Sequence, residues 1–160
     1  MNKGRWRMAA AVAALLVAAG VYVVVKMLMD PPVAISKIDV THSAFDNDGK
    51  RQFVIDLDQG SVTEFESSAL GAKQTDSKTL DPAAIAAFQD QVVRVGLSSW
   101  KDTYRDPNIA DGGMWTLVVT FANGQIKTVT GINVYTEWVQ PPRFSIFADA
   151  LKTLVGRDVF

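Results

Sequence analysis

The chain contains no cysteine among its 160 residues. This absence excludes disulfides, thiolate-bound zinc or iron–sulfur clusters, a cysteine nucleophile, and the lipid-modified cysteine of a bacterial lipoprotein. Histidine occurs once, and no metal, nucleotide or catalytic signature stands out. The sequence therefore predicts neither a cofactor nor a metal site.

Acidic residues are missing from the start of the chain, where the first is Asp30. The segment before it carries Lys3, Arg5, Arg7 and Lys26, so the remainder has 12 basic against 17 acidic residues, a net charge of −5. An acidic domain without a basic run argues against nucleic acid or an anionic membrane surface as its main partner.

A long apolar run fills residues 8–29, interrupted only by Lys26. Its first 18 residues would reach about 27 Å as a helix, close to the thickness of the bilayer core. Basic residues before the run and mainly acids after it orient the N-terminus towards the cytoplasm. We predict a cytoplasmic tail (1–7), a transmembrane helix (8–29), a proline-containing linker (30–34) and an extracytoplasmic domain (35–160) in a bacterial inner membrane; signal-peptide cleavage near Ala18-Ala19-Gly20 is the alternative.

Three alanines recur every four residues within this run, at Ala10, Ala14 and Ala18. They would form a smooth stripe along one side of a membrane helix, on which a second helix can approach closely. Alanine is also common in such segments, so composition alone explains the stripe equally well.

Beyond the linker, short stretches with a period near two alternate with two amphipathic patterns. Strand patterns cover 35–41, 52–58 and 61–66, and Asp81-Pro82 opens a helix that Gly96 ends. A hairpin over 114–134 and a helix from Phe144 to Gly156 follow, while 71–79 reads as a polar loop. We predict an α+β fold with an antiparallel sheet of about five strands and both helices on one face.

Asn123-Gly124 is a strong signal for a two-residue hairpin turn. Pairing outward from it places Phe121 opposite Ile126 and Trp115 opposite Ile132. One face would then carry Trp115, Leu117, Val119, Phe121, Ile126, Thr128, Thr130 and Ile132, and the other Thr116, Val118, Thr120, Lys127 and Val129.

Three polar groupings invite a chemical interpretation. His42, Ser43 and Asp46 contain the residue types of a hydrolase, yet no glycine-flanked nucleophile elbow surrounds the serine. Asp46-Asn47-Asp48-Gly49 resembles the start of a calcium loop but has Leu57 where the bidentate glutamate belongs. A third grouping is a cluster of carboxylates on one hairpin, which could form a weak cation site or a glycosidase-like pair: Asp56, Asp58, Glu64 and Glu66. Solvent-exposed strand faces commonly carry such clusters without any function.

A set of aromatic and polar residues flanks the second hairpin. Tryptophan, tyrosine and arginine dominate protein interfaces when partly exposed, although the same aromatics can close the ends of a small core. The candidate partner-binding residues are Trp100, Tyr104, Arg105, Asn133, Tyr135, Trp138 and Arg143.

Part of this region carries a recognisable pattern, Trp115-x-Leu117-x-x-x-Phe121-x-x-Gly124 followed by Gly131-x-Asn133-x-Tyr135. The pattern resembles small bacterial envelope domains of unassigned function and covers about the last third of the chain. The motifs are structural, so the resemblance implies no activity.

These features favour a non-enzymatic, single-pass accessory or assembly subunit that contacts other membrane proteins through its helix and its outer domain. An anchored inhibitor or immunity-type protein that binds a basic partner is the first alternative. An envelope hydrolase that uses the hairpin carboxylates or His42 is the second.

Overall fold

A computed structural model describes residues 33–43, 50–68, 71–109, 112–133 and 139–160. Within these ranges no helix is both long and apolar enough to cross a bilayer. The predicted transmembrane helix is therefore not part of the architecture that the structure describes, and residues 8–29, with the alanine stripe, lie outside the described ranges.

The described elements alternate strands with two helices. In chain order they are β1 (Ile35–Ser43), β2 (Lys50–Asp56), β3 (Ser61–Ser68), β4 (Gly71–Thr79), α1 (Pro82–Val95), a 3₁₀ turn (Leu97–Ser99), β5 (Thr103–Arg105), β6 (Met114–Phe121), β7 (Ile126–Ile132) and α2 (Phe144–Val155).

The predicted five-stranded antiparallel sheet is wrong in strand number and direction. The described strands form one seven-stranded sheet in the order β4-β3-β2-β1-β6-β7-β5, in which β5 runs parallel to β7. The stretch predicted to be a polar loop, 71–79, is the edge strand β4, and all nine of its residues are exposed. Because neither face of β4 is buried, its sequence shows no alternation of apolar residues from which a strand could be predicted. It is a strand because it pairs with β3.

Both helices begin and end where the sequence predicts. The Asp81 side chain accepts a hydrogen bond from the amide of Ala83 at 2.9 Å, which caps α1, and Gly96 ends the helix in the left-handed conformation. Gly156 ends α2 in the same way. Their apolar sides and one face of the sheet, called here the core face, enclose a single core.

The register of the β6–β7 hairpin differs by one residue from the predicted one. Phe121 pairs with Gln125 around a three-residue loop that ends at Gly124, whose φ of 81° is left-handed. Since a one-residue shift exchanges the two faces of a strand, Val129 is fully buried in the core and Ile126 is 67 % exposed. Trp115 lies opposite Gly131 instead of Ile132.

Candidate functional site

Two of the candidate partner-binding residues lie where α1 and α2 meet. The Trp100 side chain is buried, donates from Nε1 to the carbonyl oxygen of Pro142 at 3.0 Å, and meets the Phe147 ring edge-on at 5.5 Å. Arg143 is exposed, and its guanidinium donates to the carbonyl oxygen of Arg94. Trp100 thus fixes the start of α2 from within the core, whereas Arg143 remains accessible to a partner.

Three more candidates lie around β5 and the end of β7. The Tyr104 hydroxyl accepts a hydrogen bond from the amide of Lys101 at 3.0 Å, and Arg105 is exposed. Asn133 is buried with a left-handed φ of 57°, and its amide donates to the carbonyl oxygen of Ile109 at 2.6 Å. Arg105 is therefore the member of this group with a freely accessible charge.

The remaining candidates, Tyr135 and Trp138, lie outside the described residues, as does the Asp46-Asn47-Asp48-Gly49 segment. Among the residues that the structure describes, no group of three or more histidine or carboxylate side chains could hold a metal ion.

His42 and Ser43 point towards opposite faces of the sheet because they are neighbours on β1. The Ser43 hydroxyl donates to the carbonyl oxygen of Met114 at 3.3 Å. Burial lowers the pKa of His42 below its usual value, and the positive charge of Arg51 lowers it further. The two side chains therefore do not form a nucleophile and base pair.

The hairpin carboxylates are likewise divided between the two faces. Asp56 lies on the face away from the core and accepts a hydrogen bond from the amide of Gln59 at 2.8 Å. Glu64 lies on the core face and is 5 % exposed. These two side chains do not converge as a pair of carboxylates around a shared substrate must.

The buried Glu64 is the centre of a charge network. Its Oε1 accepts from Nη2 of Arg51 at 2.7 Å and its Oε2 accepts from Nη1 of Arg157 at 2.7 Å. Arg157 also pairs with Asp76 on β4. The network connects three strands to the segment after α2. Since both Glu64 oxygens already accept hydrogen bonds from arginines, we interpret the network as stabilising the fold and not as a binding site. Sequence reasoning grouped Glu64 with its neighbours and missed Arg157, which lies 93 positions away.

The face of the sheet opposite the core face, called here the open face, carries a nearly uncharged band. Two rows of side chains run across five neighbouring strands and define this neutral strip: Thr63, Val54, Asp39, Val118 and Thr128 in one row, and Phe65, Gln52, Thr41, Thr116 and Thr130 in the other. Asp39 is the single charged group in the strip. Both of its carboxylate oxygens accept hydrogen bonds from Nε2 of Gln52, at 2.9 and 2.8 Å.

The neutral strip is a candidate contact surface. The helices pack on the core face, so the strip has no described element above it. The centres of protein interfaces are depleted of charged residues. The sequence shows the alternation within each strand. How the side chains of neighbouring strands line up into rows depends on the strand registers, which the sequence alone does not determine. No family model and no curated protein matches the chain.

Proposed function

We propose that this protein is a non-enzymatic, single-pass accessory or assembly subunit of a bacterial inner-membrane complex. Its N-terminal apolar segment would contact other subunits within the bilayer, and its extracytoplasmic domain would bind a protein partner through the neutral strip. The neutral strip is the observation that carries this proposal, and it replaces the aromatic set as the main candidate contact because Trp100 and Asn133 are buried.

The physical argument rests on desolvation. Binding a protein over a sheet face removes water from every side chain beneath it, and an unpaired charge there would cost several kcal/mol. The strip brings a single charge to such a contact, Asp39, whose two oxygens already accept from Nε2 of Gln52, so a partner has to supply a cation or donor at only one position. Two modest contacts on one chain, one in the bilayer and one outside it, raise the overall affinity because the second contact is intramolecular.

The test uses the tagged full-length chain, solubilised from native membranes in mild detergent after crosslinking. Thr116→Glu places a charge in the middle of the neutral strip, and Val93→Glu places the same charge on the exposed side of α1, where Val93 is 49 % exposed. We expect one defined membrane protein to copurify with the wild type and with Val93→Glu, and to be lost with Thr116→Glu. A chain that always emerges alone and monomeric refutes the proposal.

The anchored inhibitor would need an excess of negative charge on its surface. The described residues contain twelve acidic and twelve basic side chains, so the acidic excess of the domain falls entirely outside them. The described surface therefore does not favour this alternative over the assembly subunit. Partner binding that weakens steeply as salt rises would favour the inhibitor instead.

A further inference from the structure

The end of the sheet at which β1 begins has an uncharged tip. The amide of Ala122 donates to the carbonyl oxygen of Ala34 at 2.7 Å, which joins the start of β1 to the β6–β7 turn. Ala34 and the turn residues 122–125 are all exposed. Ile126 follows the turn and, at 67 %, is the most exposed large hydrophobic side chain in the described part of the chain. Ala34 and residues 122–126 are called here the neutral tip.

The chain before β1 is too short to hold this end far from a bilayer. The predicted membrane segment ends at residue 29 and β1 begins at Ile35. Five intervening residues span at most about 18 Å when fully extended. The nine residues of β1 extend for about 30 Å, so its other end, where Ser43 pairs with Met114, is not held near the bilayer by the same tether.

The charges at this end of the sheet are unevenly distributed. The half formed by β2, β3 and the start of α1 carries Asp56, Asp58 and Asp81, which anionic lipids would repel. The half formed by β1, β6 and β7 carries Lys37 and Lys127 beside the neutral tip, and Lys127 is paired with Asp102. An exposed isoleucine and backbone amides beside two lysines fit the headgroup layer of zwitterionic lipids, in which apolar side chains can be partly buried.

We infer that the neutral tip rests in the headgroup layer of the bilayer, so that the sheet stands on the membrane with Met114 and Arg105 at its outer end. This inference rests on the membrane attachment in the proposed function. Because the tether already holds the tip near the lipid, one partly buried isoleucine suffices to orient the domain. A partner protein then reaches the neutral strip from the side.

The absence of cysteine allows a direct test with one labelled position at a time. Ala122→Cys, which keeps Ile126, and Met114→Cys are made in the full-length chain, each labelled with an environment-sensitive nitrobenzoxadiazole fluorophore and reconstituted in phosphatidylcholine vesicles. Both positions are exposed and belong to the same hairpin, near its opposite ends. A fraction of the lipid carries a spin label on its headgroup, which quenches nearby fluorophores.

We expect strong quenching at position 122 and little at position 114. Lengthening the tether with a flexible glycine–serine insert before residue 33 should reduce the quenching at position 122. Equal quenching at the two positions, or stronger quenching at position 114, overturns the inference while the attachment stands. A chain that alkaline washing removes from the vesicles overturns the attachment itself, and with it both proposals.

Discussion

Gly131→Ala adds a methyl group where β7 packs against the aromatic ring of Trp115 in the core. Gly131 lies opposite Trp115 on β6, and the indole ring covers the glycine so closely that a Cβ there would lie well under 3.0 Å from three ring atoms. The ring is stacked on Phe144 at 5.1 Å and meets Phe160 edge-on at 5.6 Å. It therefore cannot withdraw from a new methyl group without disturbing those two contacts.

The expected cost follows from overpacking and from the lost ring contacts. Forcing a methyl group into a filled core costs about 1–3 kcal/mol. Each displaced aromatic pair forfeits up to about 1 kcal/mol more. We expect Gly131→Ala to lower the free energy of unfolding by about 3 kcal/mol, which corresponds to a fall in Tm of roughly 10 °C for a domain of this size.

The assay is urea unfolding of the full-length chain in detergent, followed by far-ultraviolet circular dichroism. Trp115→Leu removes the ring, and in that background Gly131→Ala should stabilise the protein by about 0.5 kcal/mol, because glycine is less favourable than alanine within a strand. Thr128→Ala, on the exposed side of β7, is the control and should have little effect. If Gly131→Ala is equally destabilising with and without the indole ring, the explanation by ring contact is refuted.

Three further predictions concern single side chains. Glu64→Ala should lower the free energy of unfolding by about 2 kcal/mol, because it removes a buried carboxylate that accepts from two arginines, whereas the exposed partner Asp76→Ala should cost much less in the same urea titration. His42 has a lowered pKa in the folded chain, so below about pH 6.5 the unfolded chain binds a proton there more readily than the folded chain does. The stability of the wild type should therefore fall as the pH drops through this range. In thermal unfolding over the same range, the Tm of His42→Gln should depend less on pH. Gly124→Ala should lower the free energy of unfolding by about 1 kcal/mol through backbone strain alone, because φ is left-handed and the new Cβ would meet no other side chain or backbone atom within 4 Å. A Tm unchanged from wild type would contradict this account of the turn.

The elements with local signals were predictable from the sequence. Asp81 and Gly96 enclose α1, and Gly156 ends α2, because capping and the left-handed stop depend on residues next to the helix itself. The β6–β7 hairpin was also predictable as an element, but its register was not. Asn-Gly can form a two-residue turn or occupy part of a three-residue loop, and the choice decides which face Val129 and Ile126 occupy.

Other features depend on partners far away in the chain. The edge strand β4 has no alternation of its own and exists through its pairing with β3. Trp100 looks like an interface residue in sequence, yet its indole is enclosed by Phe147 and the start of α2. The pairing of Glu64 with Arg157 likewise had no local signal.

The sequence by itself determined the helix limits, the existence of the strands with apolar alternation and the charge asymmetry at the N-terminus, since each depends on residues within a few positions of one another. Tertiary structure alone decided the seven-stranded order, the register of β6 and β7, and the rows of side chains that make the neutral strip. Those features arise when distant segments bury a common face, and the free energy gained by that burial selects among pairings that local propensity leaves nearly equal.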